Sequence, residues 1–251
     1  MNIKNVTTVL GLTSVIALNT VLPVQAQLQE YAEVGGRESL ELNPDTLDIL
    51  EDIGLTLFSA ASTTTPAPGF SIGAALLPPS SVPGVRGTTF TFLYDEETQF
   101  YAPAGGTEEF SGSFAFNVDT NKLSGLGTEF TIGNFSNAFD ENFSFSITDT
   151  LTTGLPILDV TSSGITNVDL ASQTWELEGL ELLFSEEFSN LLEDAGATVS
   201  VAGLKFADAK GNRSFVPVTV PEPSSDASLF IGISVLGAIA LKNRPSKQKV
   251  N

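Results

Sequence analysis

Cysteine and histidine are both absent from the 251 residues. Without cysteine there are no disulfides, no thiolate metal ligands and no cysteine nucleophile. Without histidine the Ser-His-Asp and Cys-His arrangements and most zinc chemistry fall away. Basic residues are scarce: 11 Lys and Arg stand against 30 Asp and Glu, a formal net charge of −19. That balance repels nucleic acid and anionic lipid, so neither is expected as a partner. No apolar run reaches the roughly 20 residues of a stable membrane span. What is present is phenylalanine, 18 residues of it, in a chain only 16% charged. This is the composition of a packed core rather than of a solvated acidic tail.

The two ends differ from the middle. Lys4 is the only charge before Glu30, and an apolar run from Val9 to Leu18 is followed by Val24-Gln25-Ala26. Small residues at Val24 and Ala26 match a signal-peptidase site, so 1–26 reads as a signal peptide, a signal helix cut between Ala26 and Gln27. At the other end, Val220-Pro221-Glu222-Pro223 precedes an uncharged apolar run, Ala227 to Leu241. Lys242, Arg244, Lys247 and Lys249 follow. The prolines hold their neighbours extended, the run makes a hydrophobic helix short for a permanent membrane span, and the basic flank keeps that end in the cytoplasm.

This three-part tail, 220–251, resembles the PEP-CTERM sorting signal of exported proteins in Gram-negative bacteria. Val220, Pro221, Glu222 and Pro223 correspond to the recognition motif, 227–241 to the helix, and 242–249 to the basic end. The resemblance implies signal peptidase and an exosortase as processing partners, and transient residence of the precursor in the inner membrane. The final location it implies is the cell surface or the extracellular matrix, among proteins associated with extracellular polysaccharide. It describes how the chain is handled and covers only its end.

The body, 27–219, is expected to be a single extracellular domain. It is mainly β, an antiparallel β-sandwich or barrel-like fold with two short helices. Phe90, Phe92 and Tyr94 alternate with Thr91 and Leu93 before a turn at Asp95-Glu96-Glu97, and Thr98 to Tyr101 returns as a hairpin. Phe110, Phe114, Phe116 and Val118 share one face, and Lys122 to Ile132 is expected to pair back after a turn at Asp119-Thr120-Asn121. Phe143, Phe145 and Ile147 alternate with polar residues. Trp175 and Leu177 have one parity, while Leu180, Leu182 and Phe184 have the other. A β-bulge at Gly179 would bring both sets to the same face. The Pro-, Thr- and Ser-rich stretch 61–87 reads as a long surface loop.

The helices are expected at about 44–53 and 186–195. Asn43 and Ser185 are N-caps, Pro44 suits the first helical position, and Gly54 and Gly196 close the C-terminal ends. With Gly54 set on Gly196, the residues Leu40, Leu50, Glu51, Asp52 and Thr56 also find identical partners. The two segments therefore read either as an internal pseudo-repeat, strand, helix and strand in each copy, or as two capped helices between strands that converge on one pattern.

Chemistry is sparse. No cofactor is indicated. Calcium is the one metal worth weighing, but Asp119-Thr120-Asn121 places Leu123 where a third oxygen ligand is needed. Asp95-Glu96-Glu97, Glu108-Glu109 and Asp140-Glu141-Asn142 read as solvated turns. Trp175 between Glu176 and Glu178 reads as a core tryptophan with outward glutamates. No catalytic residue is singled out. The expectation is a non-enzymatic structural or glycan-contacting module; the alternative is a secreted carbohydrate-active hydrolase using two Asp or Glu.

Overall fold

The computed structural model describes residues 28–139, 145–163 and 166–219. The expected signal peptide, its expected cleavage point and the expected sorting tail lie outside the described residues, as do Asp140-Glu141-Asn142 and Phe143. Among the described residues, no helix is long and apolar enough to cross a membrane.

The body is a nearly closed antiparallel barrel with a small second sheet and two helices at one end. In chain order the elements are β1 (Gln29–Leu42), α1 (Pro44–Ile53), β2 (Leu55–Ala61), β3 (Ile72–Leu76), β4 (Thr91–Asp95) and β5 (Phe100–Gly105). Next come β6 (Thr107–Glu109), β7 (Ser113–Val118), β8 (Glu129–Gly133), β9 (Ser136–Phe139) and β10 (Phe145–Thr148). The chain ends with β11 (Pro156–Ser162), β12 (Thr166–Asp169), β13 (Thr174–Phe184), α2 (Glu186–Ala195) and β14 (Lys205–Pro217). The large sheet runs β5-β4-β1-β14-β13-β11-β10-β9-β6, with β3 also on β1 and β12 on β13. Its edges nearly meet. Leu76 bridges to Phe110, Leu77 N–H donates to Glu109 O, and Thr89 N–H donates to Thr107 O. Arg86 fastens this seam, donating to Glu109 Oε2 at 2.7 Å and to the carbonyls of Asn134 and Phe135. The remaining strands form the sheet β2-β7-β8.

β1 and β13 both pair with β14 and run the same way, so both helices leave the same end of the barrel. The expected helix bounds and caps are those observed. Asn43 accepts from Asp45 N and Thr46 N, Ser185 accepts from Phe188 N, and Gly54 takes the left-handed conformation at φ 107°. Leu50 and Leu192 are equivalently buried. The turn at Asp119–Leu126 joins the two helix ends: Lys122 Nζ donates to Asp52 O, and Gly125 N–H donates to Ala195 O. Leu123 is buried between them, which is why an apolar residue stands where a calcium ligand would. The parallel between the copies ends there, because Gly54 leads directly into β2 whereas Gly196 leads into a turn. Two other expectations change in detail. The 61–87 stretch contains β3, because Ile72–Leu76 pairs with β1, and the return after the 119–121 turn is strand only over Glu129–Gly133.

Two apolar clusters fill the interior. The larger joins α1, α2 and the small sheet to the barrel floor through Leu50, Phe114, Phe116, Phe184, Phe188 and Phe206. The smaller, at the opposite end, packs Phe90, Phe92, Tyr94, Trp175 and Phe215. The first and last strands pair along their length, and their ends are tied by Val218 N–H donating to Glu30 O. The body 28–219 thus carries its own core and closes on itself.

Candidate functional site

Between the two clusters the barrel interior is polar and partly empty. Inward parity along β14 gives Ala207, Ala209, Gly211, Arg213 and Phe215, so the only large polar side chain on that face is Arg213. Small residues below it leave room. At Gly211 a Cβ would meet Arg213 Nη1 at 3.1 Å and Glu38 Oε2 at 3.3 Å. On β1, inward parity brings Glu38 and then Leu40, while the irregularity between Glu33 and Gly35 turns Glu33 inward as well. β6 contributes Glu108, and its register partner on β9 is Asn137.

These groups meet around one guanidinium. Arg213 Nη2 donates to Glu38 Oε2 at 2.8 Å, Nε donates to Glu108 Oε1, and Glu33 Oε2 lies 3.9 Å from Nε. Asn137 Nδ2 donates to Glu108 Oε2 at 3.1 Å. The guanidinium carbon also lies over the rings of Phe110 at 4.9 Å and Trp175 at 5.4 Å. Glu108 is therefore satisfied at both oxygens. Glu38 Oε1 and Asn137 Oδ1 are buried with no hydrogen-bond partner. Such atoms cost free energy unless something meets them. Glu33 lies close enough to Glu108 and Trp175 for both to shift its ionisation, though neither contact reaches good hydrogen-bond geometry. The contrast with Asp149 is sharp, since that buried carboxylate accepts from the backbone N–H groups of Gly133, Leu151 and Thr153.

Burial sets the protonation states. Glu33 is raised well above 4.5 by burial first and by neighbouring Glu108 next, with Arg213 pulling the other way. Glu38 is pushed up to about 7 by burial, again against the pull of Arg213. Burial opposes the charge on Arg213, but Glu108, Glu38 and Glu33 outweigh it and hold the guanidinium charged. Burial, and after it Glu33 and Glu108, raise the Tyr101 phenol well above its usual range.

Glu38, Glu108, Asn137, Trp175 and Arg213 form the polar part of the wall of a cavity of about 560 Å³. Most of the rest is apolar, with Phe90, Ile147, Leu177, Leu180 and Leu182 among its lining beside the Tyr101 ring, and Asp159, Thr161, Ser162 and Thr166 also line it. A second, apolar hollow of about 30 Å³ shares Glu38, Asn137, Ile147 and Leu182 and reaches Phe135 and Phe206. The larger cavity has the volume of a small-molecule pocket.

Trp175 is the buried residue its sequence context suggested, and Glu176 and Glu178 point outward to Lys210. The Glu108-Glu109 pair is not the solvated turn expected: it sits in β6, with Glu108 inside the barrel and Glu109 on Arg86. Asp95 likewise is buried, accepting from Glu97 N and Thr98 N to shape its hairpin. Glu33, Glu38 and Arg213 carry a readable signal, since each is a charge at an inward position of an alternating strand. Among the described residues, no group of three or more carboxylates is arranged to hold a metal ion. Comparison with known protein families, with curated proteins and with solved structures finds no match.

Proposed function

We propose that this is an exported protein, sorted by an exosortase to the cell surface or the surrounding matrix, that works there as a non-enzymatic module holding one small ligand inside its barrel. The observation that carries the binding reading is the cavity of about 560 Å³, lined mostly by apolar side chains together with Glu38 and Asn137, each of which keeps a buried acceptor without a partner. An apolar lining supplies affinity, and a few convergent polar atoms fix orientation. The site is a pocket rather than a groove, which favours a single small molecule or one terminal sugar over an extended polysaccharide. What weighs against the two-carboxylate hydrolase is that Glu108 spends both oxygens on Arg213 and Asn137. A hydrolase needs both carboxyl groups turned to the substrate.

The export and sorting part of the reading rests on the PEP-CTERM resemblance of 220–251. The binding part is tested with the sole tryptophan, which lines the cavity. A neutral apolar dye, N-phenyl-1-naphthylamine, titrated into 28–219 should bind one site saturably and quench Trp175 by energy transfer. Leu180→Trp, which fills the cavity, should abolish saturable uptake. Dye uptake that never saturates, or that Leu180→Trp leaves unchanged, would contradict the reading.

A further inference from the structure

We propose that the cavity takes an amphiphilic amine, a molecule whose apolar part lies along the barrel wall and whose protonated amino group is met by Glu38 and Asn137. This rests on the binding-module reading and adds the chemical class of the ligand. Three independent features point the same way.

The first is charge. Glu33, Glu38 and Glu108 surround a single cation, Arg213. All the other basic residues of the body are engaged elsewhere. Arg37 donates to Thr65 O, Arg86 pairs with Glu109, and Lys122 donates to Asp52 O. Lys205 and Lys210 form ion pairs on the outer face. The interior therefore holds three carboxyl groups to one cation; a ligand cation favours the ionised form of Glu38, whereas a ligand carboxylate would make that ionisation harder.

The second is hydrogen bonding. Asn137 Nδ2 is committed to a Glu108 oxygen, which fixes the amide so that Oδ1 is the free atom. Glu38 and Asn137 line both the main cavity and the adjoining hollow, and each keeps one buried acceptor without a partner. An ammonium group carries three donors and no acceptor; a hydroxyl carries one donor; a carboxylate carries none. The ammonium group fits two orphaned acceptors best.

The third is the wall. Phe90, Ile147, Leu180 and Leu182 are apolar, and the rings of Trp175 and Tyr101 stand beside them. Aromatic faces favour a cation and an alkyl chain alike. A bare metal ion would leave this surface uncovered.

Protonation of Glu38 makes the binding pH-dependent. Arg213 on β14 and Glu108 on β6 face it, with Glu33 on its own strand on the other side of the guanidinium. An arriving ammonium group favours the ionised carboxylate, so binding at pH values below about 7 displaces a proton from Glu38. Affinity for the amine should then rise between roughly pH 6 and pH 8, by up to about tenfold.

Octylamine, 1-octanol and octanoate share a chain length and differ in the head. Each is titrated into 28–219 near pH 8, with Trp175 fluorescence as the signal and dye displacement as a second readout. The amine should bind about tenfold or more tighter than the alcohol, and octanoate least tightly. Glu38→Gln should remove most of the amine's advantage while leaving octanol binding in place, with a thermal melt showing that the variant is folded. Octanol or octanoate binding as tightly as octylamine overturns the proposal, as does Glu38→Gln retaining the full preference. Dye binding without any amine preference would overturn the amine alone. No binding of the dye or of any of the three probes would overturn the module reading with it.

Discussion

Trp175 and Arg213 are register partners on neighbouring strands, and the guanidinium carbon lies 5.4 Å from the indole ring. That pairing joins the two parts of the interior. Trp175 belongs to the upper aromatic cluster, stacked edge-on to Phe92, and Arg213 is the hub of the carboxylate cluster below. The packing of one cluster and the charge of the other are therefore coupled through one contact of a few tenths to a couple of kcal/mol, about the range of a buried cation–π pair.

Arg213→Met should be strongly destabilising. The arginine is 3% exposed and its loss leaves buried Glu38 and Glu108 without their cation. Breaking such a pair from one side costs about 3–5 kcal/mol. Replacing both glutamates by glutamine as well should recover much of that loss. Urea unfolding of the single and triple variants checks both statements, and an unchanged midpoint for Arg213→Met would mean that the cluster is not held by its arginine.

Stability should fall as pH rises from about 4.5 to about 7. Glu38 has its folded pKa raised from 4.5 to about 7, and Glu33 is raised in the same direction. Between those values the folded chain binds more protons than the unfolded one, so raising the pH favours unfolding. For Glu38 alone the effect is about 3 kcal/mol across the window, since one pKa unit is worth about 1.4 kcal/mol. Urea midpoints measured across this range should decline, and Glu38→Gln should flatten the decline, leaving the part due to Glu33. A wild-type midpoint that rises with pH would contradict the burial of these two groups.

Deleting Gly179 should abolish folding, whereas Gly179→Asn should be tolerated. The register of β13 on β14 slips between Leu177 and Leu180, and Gly179 stands at φ 67° within that slip. Its extra residue keeps Trp175 and Leu177 on the same face as Leu180, Leu182 and Phe184. Removing it turns one set outward, because side chains alternate strictly along a strand. Asparagine adopts the left-handed conformation more readily than other non-glycine residues. Circular dichroism and protease resistance distinguish the two outcomes.

That bulge was legible in the sequence because one residue inserted into an alternating strand reverses the parity of everything after it, and glycine is the residue such an insertion favours. The helix bounds were legible for a similar reason: Asn43, Pro44 and Gly54, like Ser185 and Gly196, punctuate locally. The functional residues were not legible together. Glu33, Glu38, Glu108, Asn137 and Arg213 come from four strands scattered over nearly the whole body, and long-range pairing alone brings them to one guanidinium. Glu108 was further disguised, since Glu108-Glu109 looks like a solvated pair until β6 places one inside and one on Arg86. The pairing of β3 with β1 was hidden by the proline-rich residues on either side of it.

For the tail, Glu222→Ala in the native host should leave a longer, membrane-retained protein. The wild type should appear outside the cell beginning at Gln27 and lacking its last ~28 residues, those that follow Pro223 in the motif. Mass spectrometry of membrane and culture fractions reads both ends at once. Full-length wild type in membranes, still carrying Lys249, would mean that the tail is a permanent anchor.

The central claim is that the barrel interior holds one small ligand, and native mass spectrometry of the protein isolated from its own host tests it most directly. The expected spectrum shows the polypeptide with a single additional mass of a few hundred daltons, about what a pocket of this size accommodates. Solvent extraction should remove that mass and shift the emission of Trp175. Bare polypeptide in every preparation, with Trp175 emission unchanged by extraction, would contradict it.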